Sequence, residues 1–201
     1  MPSGTYSFHD PHDGTALGEE RFSCAPGPLG WRYTGSGIDL TLDARGRPLR
    51  LQAQAGGWRV RGGATLVDGT SGVVWLRTAV DPTLDVAGVE HEAKAAGFTG
   101  RSPAFLIATA TMLDLSPGGS ARLRLISLTE PVLAAHTVDQ SWTLVAVESH
   151  DGLAVERYHV DDLATGERAV LHVSGDVVLA APGIELEALD TPPNARITTA
   201  G

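Results

Sequence analysis

Short runs of alternating apolar and polar residues, separated by turn residues, recur along most of this chain. In residues 38–54, Leu40 and Leu42 share one face of a predicted strand, and Asp43 and Gly46 supply turn chemistry before a second alternating run. Two alternating runs joined by a short turn are typical of a β-hairpin. The segment "DLATGE" near residue 165 predicts another such turn. The pattern therefore predicts a mainly β fold with antiparallel strands.

The length of the chain fits one β-rich domain over residues 1–201. A chain of this size buries enough surface to fold without a disulfide or a metal. We expect one curved antiparallel sheet that forms a half-barrel or a barrel. Residues 1–15 are predicted to be a polar lead-in, and residues 190–201 a loosely ordered tail.

One apolar segment, "RSPAFLIATATMLDLSPGG", interrupts the strand rhythm between residues 101 and 119. Ser102 followed by Pro103 is a typical helix start, and the Ser-Pro-Gly-Gly run is a stop. Strand alternation also fits, but length and the Ser-Pro entry favour a helix over about 103–114. The pattern leaves open one or two short helices, and the second would lie over 89–96. The first is apolar on nearly all sides, so it should be buried or should cover an apolar concavity.

Charge and composition exclude several classes of partner. The net charge of −9 argues against binding to nucleic acid and to anionic membrane surfaces. No apolar run reaches the roughly 20 residues of a spanning helix, so we expect no stable membrane insertion. The N-terminus lacks the pattern of a secretory signal, and a cytoplasmic location is expected. The oligomeric state stays open.

Familiar catalytic and cofactor motifs are missing from the sequence. It has no Gly-x-Ser-x-Gly elbow, no phosphate-binding loop and no dinucleotide fingerprint. Cys24 is the only cysteine, so no intramolecular disulfide can form. We expect no cofactor and no metal.

Aromatic and arginine side chains on the predicted strands are the candidates for ligand contact. Inward-facing aromatic residues of a curved sheet line a ligand cavity or fill the core, and the pattern leaves both open. Arginines would anchor a polar head group. The candidate ligand-binding residues are Trp31, Tyr33, Arg50, Trp58, Arg61, Trp75, Phe105, Met112, Arg124 and Trp142.

Histidines inside predicted strands are the candidates for acid–base chemistry, because alternate strand positions face the interior of a barrel. Such histidines are more often satisfied or solvent-facing. The candidate catalytic residues are His136, Glu148, Tyr158 and His159.

The second half of the chain contains short motifs in a recognisable order. They are "SPAFLIATATMLDLSPGGSARLRLISLTEPVL", "DQSWTLV", "ERYHVDD" and "GDVVLAAPGIEL". The matching positions are Ser102, Pro103, Leu113, Leu115, Gly118, Pro131, Leu133, Gln140, Trp142, Pro182 and Gly183. Over residues 18–188 the chain resembles a bacterial family of glycolipid-binding domains. The resemblance implies an antiparallel half-barrel, like those of bacterial lipoprotein carriers, with a concave apolar face.

These observations predict a protein that binds a hydrophobic or amphipathic small molecule (a lipid, a glycolipid or a polyketide-like compound) in the concave face. The alternative is a cofactor-independent cyclase or isomerase that acts on a hydrophobic secondary metabolite in the same barrel. A third interpretation is a structural domain with a fully packed interior. A closed dry core would exclude both ligand hypotheses. An open apolar groove favours carriage, and an enclosed His–acid pair favours catalysis.

Overall fold

The computed structural model describes residues 1–27, 30–81, 83, 88–150 and 152–194. Within these ranges, fifteen strands form one sheet and a single α-helix packs on it. The strands are β1 (Ser3–His9), β2 (Ala16–Gly27), β3 (Gly30–Gly35), β4 (Ile38–Asp43), β5 (Pro48–Ala55), β6 (Trp58–Val67), β7 (Thr70–Ala79), β8 (Val89–Ala93), β9 (Gly97–Gly100), β10 (Ser120–Thr129), β11 (Ala134–His150), β12 (Leu153–Asp162), β13 (Arg168–Ser174), β14 (Val177–Ala181) and β15 (Ile184–Leu189). The helix is α1 (Pro103–Leu113). The predicted mainly β class is confirmed.

The strands follow each other in two runs, from β8 back to β1 and then from β15 back to β9. Neighbouring strands are antiparallel except β9 and β10, which run parallel on either side of α1. Parallel neighbours need a crossover, and α1 supplies it. β8 and β9 are the two edges of the described sheet, which does not close into a barrel. Of the two predicted forms, a half-barrel and a closed barrel, the described sheet therefore excludes the closed barrel.

Helix α1 begins and ends as the sequence predicts. Ser102 has an extended backbone and its Oγ accepts a hydrogen bond from the N–H of Ala104 at 3.3 Å. Asp114 adopts a left-handed conformation with φ 42°, and its N–H donates to the carbonyl of Ala110. Capping at both ends supplies partners for backbone groups that a short helix leaves unpaired.

The second predicted helix, over 89–96, is wrong. Val89–Ala93 is strand β8, which pairs with β7 through Trp75↔His91 and neighbouring positions. Its charged residues are exposed, as expected at the edge of a sheet, where charge discourages pairing with other chains. Backbone pairing with β7 therefore decides the conformation of a segment whose composition also suits a helix.

Both ends of the chain are more structured than expected. Residues 1–15 include β1, which lies between β2 and β15 with Tyr6 and Phe8 in the core. The N–H of Asp190 donates to the carbonyl of Ser3 at 2.8 Å, and the N–H of Asn194 donates to Asp176 Oδ1 at 2.9 Å. The rest of the predicted tail, 195–201, lies outside the described residues.

The core lies between one face of the sheet and α1. Phe105 and Ile107 of the helix join a cluster that includes Leu40 of the first run of strands and Tyr158 of the second. The space left between α1 and the β4–β5 hairpin is about 10 Å³, which is close to the minimum for one water molecule. The region directly under the helix is therefore packed.

Candidate ligand-binding groove

A groove of about 310 Å³ lies beside α1, toward the second run of strands. Leu106 of the helix forms one wall, and β1, β12, β13 and the β14–β15 turn form the others. The apolar lining residues are Phe8, Pro11, Leu17, Leu106, Val160, Ala169, Leu171, Ala181, Pro182 and Ile184. The polar side chains of the lining are His9, Arg101 and Gln140.

Small side chains leave the room that the groove occupies. Val160 of β12 pairs with Ala169 of β13, and Ala181 ends β14. One register step further along the same face, Tyr158 pairs with Leu171, and both are fully buried. Ala169 thus leaves room where the two strands border the groove, and one step further Leu171 belongs both to the core and to the lining.

Arg101 is held at the rim by several contacts, immediately before the helix cap. Its Nη1 lies 3.0 Å from Glu130 Oε2, and its Nη2 donates to the carbonyl of Leu17. Its guanidinium carbon lies 4.4 Å from the centre of the Phe8 ring, a cation–π arrangement. Its Nε is buried and has no hydrogen-bond partner among the described residues.

The orientation of the Gln140 amide is determined by its neighbour. The indole Nε1 of Trp142 donates to Gln140 Oε1 at 3.0 Å. An indole N–H can only donate, so the oxygen of the amide must face it. The amide NH₂ of Gln140 is then the donor that remains for a molecule in the groove.

A buried carboxyl lies behind the rim, on the other side of Ser102. Glu20 Oε1 accepts a hydrogen bond from Tyr33 OH at 2.5 Å and from Ser102 Oγ at 2.9 Å. Burial raises the pKa of the Glu20 carboxyl above its usual range, and the two hydrogen bonds offset part of that rise. Ser102 thus caps α1 and also joins the helix to β2 and β3.

The ten candidate ligand-binding residues do not line this groove. Four of them, Tyr33, Trp75, Phe105 and Trp142, are core residues. Phe105 and Met112 border the small space under α1.

The other candidates lie toward the surface. Trp31 donates from Nε1 to Asp176 Oδ2 at 3.3 Å, and Trp58 lies 3.4 Å from the guanidinium of Arg77. Arg50, Arg61 and Arg124 are exposed. Direct ligand contact by any of the ten stays a prediction.

None of the four candidate catalytic residues is among the residues that line the groove. His136 is exposed and 3.5 Å from Thr129, and Glu148 is exposed and 3.3 Å from His150. Tyr158 is buried and donates to Glu156 Oε2 at 2.8 Å, while His159 points to the opposite face of β12. A catalytic role for them is untested.

Sequence reasoning missed the groove residues Arg101 and Gln140 as candidate contacts. The spacing of Gln140 and Trp142 was the available signal, because residues two apart on a strand share a face. Arg101 carried no such signal: its place depends on Leu17 and Glu130, which are distant in sequence.

The surroundings of Cys24 are those of a buried structural residue. Cys24 is buried, its Sγ lies 3.4 Å from the carbonyl of Asp176, and burial raises the pKa of its thiol. In the described part of the chain, no three His, Cys, Asp or Glu residues are grouped so that they could hold a metal ion. The described residues also contain no helix of the length and apolarity needed to cross a membrane.

Comparison with known proteins gives one structural likeness. No family model and no curated protein matches the sequence. The chain is similar in structure to a DUF1089 family protein from Pseudomonas aeruginosa, known from a crystal structure, at 13% sequence identity and a TM-score of 0.47. The match covers 84% of this chain and 92% of that chain. A likeness at this level does not assign the chain to a family.

Proposed function

We propose that this protein binds a hydrophobic or amphipathic small molecule in the groove beside α1. The observation that carries the proposal is an open, largely apolar groove of about 310 Å³ next to an otherwise packed core. Small-molecule sites are typically concave, apolar and about 300–1,000 Å³ in volume, with a few placed polar groups. Arg101, Gln140 and His9 are such groups.

The size of the groove is compatible with useful affinity. Burying about 200–300 Å² of ligand surface at about 25 cal/mol per Å² yields about 5–7.5 kcal/mol before the costs of association. A dissociation constant in the micromolar range corresponds to about 8 kcal/mol net, so the polar contacts of the groove must contribute to the affinity as well.

The resemblance to glycolipid-binding domains supports a lipid-like ligand. Three of the positions that carry the resemblance, Gln140, Pro182 and Gly183, belong to the lining of the groove. Two others, Ser102 and Pro103, begin the helix that forms its wall. We therefore propose a lipid, a glycolipid or a polyketide-like compound as the class of ligand.

The alternative, a cofactor-independent cyclase or isomerase, stays a hypothesis without an observation that favours it. The groove is open, and its lining residues do not combine a histidine with an acid. Carriage is the function that these features support better.

Native mass spectrometry after incubation with a bacterial lipid extract tests the proposal. The variant Leu106→Trp should fill the groove, since Leu106 forms its helical wall. Leu66→Trp is the matched control, because Leu66 is 69% exposed on β6 and lies outside the groove. We expect the wild type and Leu66→Trp to retain the same amphiphile and Leu106→Trp to lose it. An unliganded wild type, or equal retention by Leu106→Trp, would refute the proposed function.

A further inference from the structure

We propose that the ligand of this groove is an anionic amphiphile, whose acid group accepts hydrogen bonds from Arg101 and Gln140. The inference rests on the proposed function and names the chemistry of the ligand's polar end. It depends on a property that two polar side chains of the groove, Arg101 and Gln140, share: both offer hydrogen-bond donors to a ligand.

Gln140 contributes a donor. Its Oε1 already accepts the indole N–H of Trp142 at 3.0 Å. The NH₂ group therefore points away from the indole, and it can donate but not accept, while the oxygen keeps one lone pair beside the indole. A ligand that met Gln140 with a hydroxyl hydrogen or an ammonium would leave that donor unpaired, whereas a carboxylate satisfies it.

Arg101 contributes positive charge and further donors. A guanidinium has five N–H donors, and the structure pairs Nη1 with Glu130 and Nη2 with the carbonyl of Leu17. The Nε has no partner among the described residues although it is buried. A buried donor without a partner costs free energy, so the present set of contacts leaves this N–H of Arg101 unsatisfied.

The partner of Arg101 in this structure can be displaced. The Arg101–Glu130 pair is partly exposed, with 33% and 39% of the two side chains accessible. Exposed ion pairs contribute little to stability because water and salt screen them. The acid group of a ligand in the groove can compete with Glu130 for the same guanidinium.

The remaining lining fits an apolar chain. Leu106, Leu171 and Ile184 border the groove on three sides, and Phe8 lies against the Arg101 guanidinium. An acid group at the rim then brings its hydrocarbon tail against these side chains. A free fatty acid has this chemistry.

Isothermal titration with decanoate and decanol, at a pH where decanoate is ionised, tests the inference. Both probes have the same chain, and only decanoate has an anionic acceptor. We expect the wild type to bind decanoate at least about tenfold more tightly than decanol, the effect of one hydrogen bond to a charged group.

Two variants test whether Gln140 and Arg101 cause the preference for decanoate over decanol. Gln140→Glu keeps an oxygen for the Trp142 indole but replaces the NH₂ donor with a carboxylate oxygen, so decanoate should weaken about tenfold or more and decanol should change little. Glu130→Gln removes the competitor for Arg101, so decanoate alone should bind several-fold more tightly. Asp39→Asn is the control: it also removes the acid of an Arg–acid pair, with Arg32, and Asp39 is not among the lining residues.

The possible outcomes distinguish a failure of the anionic-ligand inference from a failure of the proposed function. Equal affinity for the two probes overturns the anionic ligand and leaves the proposed function standing. A preference for decanoate that Gln140→Glu leaves unchanged, or that Glu130→Gln does not increase, also overturns the inference, because the acid then binds elsewhere. If neither probe nor any amphiphile of the lipid extract binds, the proposed function itself fails. Unchanged near-ultraviolet circular dichroism of each variant excludes misfolding as the cause.

Discussion

Replacing Ser102 with alanine removes two contacts that act at one point of the fold. The Oγ of Ser102 accepts from the N–H of Ala104 at 3.3 Å and donates to the buried Glu20 carboxyl at 2.9 Å. Loss of a helix cap costs about 0.5–2 kcal/mol, and the long 3.3 Å distance between Ser102 Oγ and the Ala104 nitrogen favours the lower part of that range. Loss of a donor to a buried acid costs about 1–3 kcal/mol. We therefore expect the Ser102→Ala variant to lose about 1.5–4 kcal/mol of unfolding free energy.

Urea unfolding measures this loss, and a double-mutant cycle with Glu20→Gln divides it between the two contacts. Ser102→Thr is the matched control, because threonine keeps the hydroxyl and also caps helices. We expect a coupling energy of about 1–2 kcal/mol between Ser102 and Glu20, in the range of contacting residues. A cost of Ser102→Ala below about 1 kcal/mol, unchanged in the Glu20→Gln background, would show that the serine acts as a cap alone.

Three further measurements test other parts of the structure. Because the pKa of Glu20 is raised in the folded protein, its contribution to stability is full below the ordinary glutamate pKa of about 4.3 and is lost as pH rises through the folded-state value. The melting temperature of Glu20→Gln, measured against pH, should therefore rise relative to that of the wild type across this window, and parallel profiles would contradict this. Gly46 and Gly57 both have positive φ, but a Cβ on Gly46 would lie 2.5 Å from the backbone N of Met112, whereas Gly57 faces open space. In chemical denaturation, Gly57→Ala should lose about 1–2 kcal/mol of unfolding free energy from backbone strain, and Gly46→Ala should lose clearly more. Equal losses would refute close packing of α1 on the turn at Gly46. Cys24 is buried with a raised thiol pKa, so Ellman's reagent should react with it only after unfolding, and rapid reaction of the native protein would contradict its burial.

Local patterns in the sequence were sufficient for the hairpins and for α1. Leu40 and Leu42 alternate as a strand requires, and Ser102 with Pro103 forms a cap that depends only on neighbouring residues. The position of β1 was not accessible in the same way. Its partner β15 is about 180 residues away, for example in Gly4↔Leu189, and no local pattern specifies that pairing.

The groove was harder to predict than the fold, for a physical reason. Its walls come from β1, α1 and the strands β12 to β15, so its existence depends on their packing. The tryptophans were candidate ligand contacts because of their size, yet a large apolar side chain also suits the core, where Trp142 is 1% exposed. Alanines such as Ala169 border the open space instead, and an alanine carries no signal of a binding site.

The apolar character of α1 on nearly all sides follows from two different contacts. Phe105 and Ile107 face the core, where the remaining space is about 10 Å³, so the helix does not cover a ligand beneath it. Leu106 faces the groove of about 310 Å³ beside it. An amphipathic helix with one apolar stripe could supply the first contact but not the second. Because the groove lies beside the helix rather than under it, the proposed ligand would enter without breaking the Ser102 cap or the core contacts of Phe105.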